Sequence, residues 1–380
     1  MKIVFHLNSL GRGGAERVVS ILSKGFATLG HDVTITTEWV SDNEYTIAED
    51  VKRVNVGLTP EDESKNRLSK IIKRYTNLRE FVKKEKPDVL ISFCNKANFR
   101  AAVALLGLDV KLITSVRNDP QRDYAPYKLS TFIMKKRANG CVFQTPDAMD
   151  YFGSDFAKNS VIILNPLSED FATETGFQYN PVTWGNKLSD EKMPDTSVSR
   201  KNIVTAGRIS YQKNHMLLVK AFNSIKDDAP EAVLKIFGDT QDSEVKKELE
   251  EFIKANDLEE RVFLMGLSDR VIEELKKAYM FVLSSDYEGL PNALIEAMSL
   301  GLPCISTDCP CGGSRELIEQ GINGILTPVG DIEALADAML KLIQDQDEAQ
   351  KLASEASKIK NELQPEVIAQ KWLEFIDKVK

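Results

Sequence analysis

Short apolar runs alternate with longer amphipathic stretches along most of this chain. Lys2–Leu7 is a compact apolar run. A loop at Asn8–Gly14 follows, then an apolar face at helical spacing over Ala15–Leu29, Gly30, and a second run at Val33–Thr37. The lengths and periods predict a β-loop-α-β unit. Strand-like runs recur at Val89–Phe93, Lys111–Ser115, Gly140–Phe143 and Val161–Leu164. After residue 200 the rhythm restarts at Asn202–Ala206, Val233–Phe237, Val262–Met265, Met280–Leu283 and Cys304–Ser306. Helices are predicted between them, most clearly at Asn214–Asp227 and Glu244–Ala255. Alternating β and α elements predict parallel sheets covered on both faces, and two such series predict two Rossmann-like domains.

Residues 171–200 break the rhythm. They are rich in Thr, Asn, Pro, Gly and Asp, show little apolar period, and are long for a connector. The expected division is a first domain over 1–170, an irregular excursion over 171–200, and a second domain over 201–363. Pro365–Lys380 carries Val367, Ile368, Trp372, Phe375 and Ile376 at helical spacing. This amphipathic helix is expected to cross back to the first domain, adding residues 364–380 to it. A length of 380 residues also favours two domains over one.

Composition changes this picture little; charge changes it more. With 42% hydrophobic and 28% charged residues the chain is an ordinary globular one. It has no apolar run long enough to cross a bilayer. Its opening residues read as a first buried strand rather than a signal peptide. Cys94, Cys141, Cys304, Cys309 and Cys311 are an odd, scattered set that predicts no disulfide framework and fits a reducing cytosol. Cys309-Pro-Cys311 lacks the further ligands a closed metal site needs. The net charge of −8 is uneven. Residues 1–200 hold 28 Lys and Arg against 25 Asp and Glu, whereas 201–380 hold 21 against 32. Only the first half is therefore expected to meet an anionic surface. The Lys65–Lys86 stretch concentrates that charge, with nine basic residues against Glu80 and Glu85, and Leu68, Ile71, Ile72, Tyr75, Leu78 and Val82 at helical spacing. A basic amphipathic helix suits an anionic membrane surface, or packs its apolar face on the domain core, or does both.

The candidate chemistry gathers at strand ends. Gly289 and Pro291 break the chain after the run Met280–Leu283, and Asn292 is placed to cap a helix from Ala293 to Leu300. Glu288 then lies on a loop at the carboxyl end of a strand and Glu296 about one turn into the next helix. In open α/β sheets ligands bind in that crevice, and two such carboxylates can grip hydroxyls on two parts of one ligand. The alternative for isolated glutamates is plain solvation. Gly207-Arg208 through Lys213-Asn214 forms a second cluster, at the end of the strand Asn202–Ala206. Arg208 offers a fork of donors and Lys213 a point charge, both suited to phosphate; the alternative is two surface cations. In the first half, Gly11-Arg12-Gly13-Gly14 lets backbone N–H groups approach an anion at a helix start; the alternative is a purely structural glycine loop. It is not a dinucleotide fingerprint, because the third glycine position is Glu16, whose carboxylate would repel a pyrophosphate. Asp345-Gln346-Asp347 has the letters of a metal-binding Asp-x-Asp but lies at the end of a helical run, where a solvated acidic terminus explains it.

Two of these clusters, together with three further motifs, resemble one family. Glu288 and Glu296 are spaced Glu-x7-Glu, with Gly289-Leu290-Pro291-Asn292 directly after the first. Gly-Arg is followed five residues later by Lys213. Met265-Gly266-Leu267-Ser268, the stretch Asp308–Glu316 and Gly321-Ile322-Asn323-Gly324 complete the pattern. The sequence is similar to family 4 retaining glycosyltransferases of the polysaccharide- and glycolipid-assembly type. The resemblance covers nearly the whole second half; in the first it rests on the glycine loop and Asn165-Pro166. It implies a GT-B fold, two Rossmann-like domains with parallel sheets facing a central cleft. It also implies transfer of a hexose or N-acetylhexosamine from a nucleotide-diphosphate sugar, with UDP the expected nucleotide, to a glycan or polyprenyl-diphosphate-linked acceptor, without a metal or other cofactor. Arg208, Lys213 and Glu288 are the implied catalytic residues. Arg208 and Lys213 hold the diphosphate, and Glu296 the ribose. Glu288 and the backbone of Gly289–Pro291 hold the sugar, and Gly266 and Leu267 face the base. Gly13, Gly14, Arg117, Asn118, Leu290 and Asn292 are the remaining expected substrate contacts. One departure stands out. Family members often place a histidine near the donor sugar, yet His6, His31 and His215 do not fit that place, and Thr114-Ser115-Val116-Arg117-Asn118-Asp119 occupies it. Arg117 or Asn118 then takes the role. The expected partners are a UDP-sugar, a glycan or lipid-linked acceptor and the inner membrane surface, in a cytoplasmic, peripheral setting, with no nucleic acid. The alternatives are a nucleotide-sugar epimerase-like enzyme and a non-catalytic nucleotide-sugar-binding protein.

Overall fold

The computed structural model describes residues 1–181 and 201–379. Its contacts divide the chain into one unit of Met1–Ser168 with Leu363–Lys380 and a second of Glu169–Glu362.

The first unit is a seven-stranded sheet. Its strands are β1 (Lys2–Leu7), β2 (Asp32–Thr37), β3 (Lys52–Asn55), β4 (Val89–Phe93), β5 (Lys111–Ser115), β6 (Gly140–Phe143) and β7 (Ser160–Ile162), in the order β3-β2-β1-β4-β5-β6-β7. Every neighbouring pair is parallel. Because helices cover both faces, the central strands are apolar on both sides: Ile3, Val4, Phe5, Leu90, Ile91, Leu112 and Ile113 have no exposed surface. β3 is half exposed, Lys-Arg-Val-Asn with no apolar run, and sequence pattern misses it for that reason.

The last helix, Pro365–Lys378, packs on this unit. Trp372 is fully buried, its ring stacked on Phe93 at 5.6 Å, and Lys111 Nζ donates to the Ile376 carbonyl at 2.9 Å. The helix Arg67–Glu85 behaves in two parts. Leu78 and Val82 are buried, but Leu68, Ile71 and Ile72 stay exposed. Only its second half packs on the core.

The second unit is a six-stranded parallel sheet. Its strands are β8 (Lys201–Ala206), β9 (Ala232–Phe237), β10 (Val262–Gly266), β11 (Met280–Leu283), β12 (Cys304–Thr307) and β13 (Ile325–Thr327), in the order β10-β9-β8-β11-β12-β13. Its core runs through the helices His215–Ile225, Ser243–Ala255 and Ile332–Gln344 onto the sheet. β13 is three residues long, too short to announce itself by period. Part of the proposed irregular excursion belongs here instead: Glu169–Thr173 is helical, and Tyr179 is buried with its ring 6.2 Å from that of Tyr279. The rest of that excursion lies outside the described residues.

In each sheet the order reverses once. The reversal falls between β1 and β4 in the first unit, and between β8 and β11 in the second. Crossovers leave in opposite directions there, so the loops at the strands' carboxyl ends splay apart and leave a crevice.

Candidate functional site

The two loops that leave the second unit's switch point carry the expected residues. One follows β8 and holds Gly207, Arg208 and Lys213; the other follows β11 and holds Glu288 through Asn292. Five hydrogen bonds besides the charged pair stitch them together. Ser284 Oγ donates to the Lys213 carbonyl at 3.0 Å, and Asp286 N to the Gln212 carbonyl at 2.9 Å. Asn214 Nδ2 donates to Asp286 Oδ1 at 2.7 Å. Gln212 Nε2 donates to the Tyr287 carbonyl at 3.0 Å and to Glu288 Oε2 at 3.3 Å. Lys213 Nζ then lies 2.5 Å from Glu288 Oε1, which also accepts from Ser285 Oγ at 2.7 Å.

Glu288 and Glu296 are 6% and 5% exposed. Solvated surface glutamates are excluded; a buried carboxylate is stable only when paired and hydrogen-bonded. The Glu288 environment supplies that from an ammonium, a hydroxyl and an amide. Arg208 is the opposite case. It is exposed and makes no ion pair among the described residues, so its guanidinium is available to a ligand.

Local backbone rules place these groups. Asn214 sits in the left-handed region with φ 41°, and its side chain accepts from Leu217 N, so that the chain turns sharply from Lys213 into the helix His215–Ile225. Gly238 at the end of β9 has φ 150°, and a Cβ there would overlap the Gly207 carbonyl; glycine lets the Gly207–Arg208 turn approach. β10 ends at Gly266 with φ 71°, leaving Leu267 60% exposed beyond the strand. The helix after Glu288 is Asn292–Ser299, and Pro291 rather than Asn292 holds the capping position. Proline lacks the N–H that would be left over there, and its fixed φ suits a helix start.

The first unit presents a different arrangement. Gly13 caps the helix Gly14–Thr28 with no side-chain hydrogen bond. A Cβ at Gly13 would overlap the Glu16 carboxylate. That carboxylate therefore lies over the glycine loop and reduces the room for an anion beside Gly13 and Gly14. Arg117 stands just beyond β5. Its Nη2 donates to Asn165 Oδ1, its Nη1 reaches Ser115 Oγ at 3.4 Å, and its guanidinium lies 5.3 Å from the Phe93 ring centre. Gln144 Nε2 donates to the same Asn165 oxygen at 2.7 Å. No carboxylate pairs with Arg117 among the described residues, and burial lowers its pKa to about 10. Asn118 turns to Asp123, with Nδ2 3.3 Å from Oδ1. The strand-end place of Arg117 was legible in the sequence; its meeting with Asn165 was not.

The remaining candidates have structural roles. His6 is buried against Thr36 Oγ1 at 3.0 Å, and burial holds its pKa well below the usual imidazole range. His215 is buried at the helix start, and burial followed by the Lys213 charge takes it down to about 3. Asp345 caps the helix Gln346–Ala356 by accepting from Glu348 N at 2.9 Å, which accounts for the Asp-x-Asp letters. All five cysteines are free thiols. Pattern reading passed over Gln212, Ser285, Asn214 and Asp286 as site residues. Their signal is adjacency to Lys213 and Glu288, which acquires meaning only once the two loops meet.

Two parallel α/β units, each with polar loops at its switch point, have the layout of a two-domain enzyme that binds ligands at strand ends. The comparisons agree. Residues 12–165 match the family described as glycosyltransferase family 4, and residues 189–359 match glycosyl transferases group 1. The chain belongs to this family of GT-B glycosyltransferases. It is 26% identical over 388 residues to an N-acetylgalactosaminyltransferase of Campylobacter jejuni, covering 100% of this chain and 99% of that protein. The name of that protein describes an undecaprenyl-diphosphate-linked acceptor. A second C. jejuni N-acetylgalactosaminyltransferase, also described by such an acceptor, is 26% identical over 353 residues and covers 90% of each chain. The crystal structure of Anabaena HepE in complex with UDP and glucose superimposes with a TM-score of 0.80 at 18% identity, covering 100% of both chains.

Proposed function

We propose that this glycosyltransferase moves a hexose or N-acetylhexosamine from a UDP-sugar to a polyprenyl-diphosphate-linked glycan, with retention of configuration and without a metal. The observation that carries the reading is the joining of the Arg208–Lys213 loop to the Glu288 loop at the second unit's switch point. Cleavage of the sugar C1–O bond leaves its electron pair on the terminal phosphate oxygen. Arg208, exposed and without an ion-pair partner among the described residues, and Lys213 are placed to stabilise that charge, the work a divalent ion does elsewhere. Glu288 supplies fixed acceptor oxygens for sugar hydroxyls. Glu296, one turn into the helix that follows, serves the ribose. The acceptor hydroxyl forms the new bond to C1 on the leaving group's face, and its proton passes to the departing phosphate. Glu288 is no covalent nucleophile in this scheme, since its carboxylate is already held by Lys213, Ser285 and Gln212.

The lipid-linked acceptor is supported by the two Campylobacter relatives. Membrane contact is supported by surface chemistry in the first unit. Leu68, Ile71 and Ile72 on the helix Arg67–Glu85 are exposed, as are Tyr127, Leu129 and Phe132 at the start of the helix Lys128–Arg137. Residues 64–79 and 124–137 hold six and four basic residues and no acidic one. Exposed apolar side chains flanked by basic ones suit an anionic interface. Among the described residues no helix is long and apolar enough to cross a membrane.

The test is calorimetry with UDP, combined with release of UDP from a panel of UDP-sugars in the presence of a polyprenyl-diphosphate-linked saccharide. Wild type should bind UDP, and Glu296→Ala should bind it more weakly. Turnover should require both donor and lipid acceptor. UDP affinity unchanged in Glu296→Ala would remove the ribose role.

A further inference from the structure

The two groups assigned above to diphosphate and to sugar hold each other. Lys213 Nζ lies 2.5 Å from Glu288 Oε1, with the side chains 15% and 7% exposed. A diphosphate and a sugar hydroxyl would each have to enter this pair. The two members are not equally free to move. The Glu288 carboxylate is pinned by Ser285 Oγ on Oε1 and by Gln212 Nε2 on Oε2, and Gln212 is itself tied to the Tyr287 carbonyl. Lys213 is a compact charge on a flexible four-carbon stem with three rotatable donors. Lysine is therefore the member that can turn, and the carboxylate remains where it is.

We infer that Glu288 is an internal competitor for the diphosphate clamp, and that it lets the site distinguish the intact nucleotide sugar from the bare nucleotide diphosphate. The inference rests on the donor reading above. A bare diphosphate draws Lys213 towards its terminal phosphate and leaves the Glu288 charge in place nearby, with no donor to replace the ammonium. Two anions then face each other in shielded surroundings, where their repulsion is larger than in water. An intact nucleotide sugar brings hydroxyl donors to the same carboxylate, and its sugar-esterified phosphate carries less charge. The hydrogen bonds that Lys213 gives up are replaced for substrate and not for product. After transfer the sugar hydroxyls leave with the acceptor, Glu288 recovers Lys213, and the bound diphosphate loses its clamp. The carboxylate that grips the sugar thus also speeds release of the product.

The experiment is calorimetric titration of wild type, Glu288→Gln and Glu288→Asp with UDP, with uridine, and with UDP-glucose and UDP-N-acetylgalactosamine. Glu288→Gln keeps the side-chain volume and removes the charge. It should bind UDP more tightly, on the order of tenfold for one nearby charge. It should leave uridine, which has no phosphate, unchanged, and should show no gain for whichever nucleotide sugar the wild type binds. Glu288→Asp, which draws the carboxylate back from Lys213, should show a smaller gain for UDP in the same direction. Unchanged or weaker UDP binding by Glu288→Gln with uridine unaffected overturns the inference; the carboxylate then only positions the lysine. If Glu288→Gln loses uridine as well, Glu288→Asp decides by the same sign. Wild-type binding of UDP carries the donor reading, and the direction of change in the variants carries this one, so the two fail separately.

Discussion

Lys213 and Glu288 are separated by 75 positions in the chain, yet Nζ and Oε1 are 2.5 Å apart. The distance follows from strand order. β8 and β11 are neighbours in the sheet, so the loops leaving their carboxyl ends share one crevice. The pairing also ranks the variants that probe the clamp.

Arg208→Ala is the cleaner test of diphosphate stabilisation, because Arg208 is exposed and no ion pair among the described residues is lost with it. Turnover should fall by ~10²–10³, the usual cost of removing one charge-stabilising donor, with the melting temperature unchanged. Lys213→Ala should lower turnover similarly but also lower the melting temperature, since it leaves Glu288 buried without its cation. Normal turnover in the double variant would refute the clamp.

Removal of divalent ions should leave activity intact, because the cationic clamp does the ion's work. The matching variant is Asp345→Ala. It deletes a helix cap and should cost about 1 kcal/mol of stability while turnover stays at the wild-type level. Loss of activity with EDTA, restored by Mn²⁺ or Mg²⁺ and absent in Asp345→Ala, would return a metal to the mechanism.

Vesicle binding should be weak, salt-sensitive and confined to anionic lipid. Several lysines and arginines of the helix Arg67–Glu85 already face carboxylates: Lys70 Nζ is 3.0 Å from Glu63, Lys83 Nζ 3.2 Å from Glu80, and Arg74 Nε 3.6 Å from Glu38. Neutralising Lys73 and Lys84 should therefore remove more binding than neutralising Lys70 and Lys83. Replacing Leu129 and Phe132 with Ser should weaken it further without changing UDP affinity. Cosedimentation with anionic and neutral vesicles reads both; equal binding to the two lipids would remove the electrostatic part.

Glu44 makes acid stability a local measurement. It accepts from both Arg53 Nη atoms and from Ser41 N and pairs through its backbone with Gly11, so it ties down the glycine loop. The Arg53 hydrogen bonds hold its pKa down at about 2. A carboxylate depressed in the folded state contributes stability that is fully present above its unfolded pKa and is lost as pH falls through the folded one. The stability difference between wild type and Glu44→Gln should be constant above about pH 4.5 and shrink as pH falls towards 2. Thermal melts across that range would show it, and a difference independent of pH would mean the pair contributes nothing.

Much of this protein could be read from its residues in order. Period and length revealed eleven of the strands, because a parallel strand buried on both faces is a run of apolar residues. They missed β3 and β13, one half exposed and the other only three residues long. The loops carrying Arg208, Lys213, Glu288 and Glu296 were legible because strand ends and helix starts have local signals. Tertiary structure decided what those loops do to each other. Gln212, Ser285, Asn214 and Asp286 have no pattern of their own; they matter because β8 and β11 lie side by side. It also decided that Leu68, Ile71 and Ile72 stay exposed while Leu78 and Val82, on the same helix, are covered. Periodicity reports which side chains share a face. Whether a neighbour lies along the whole of that face depends on contacts between residues far apart in the chain.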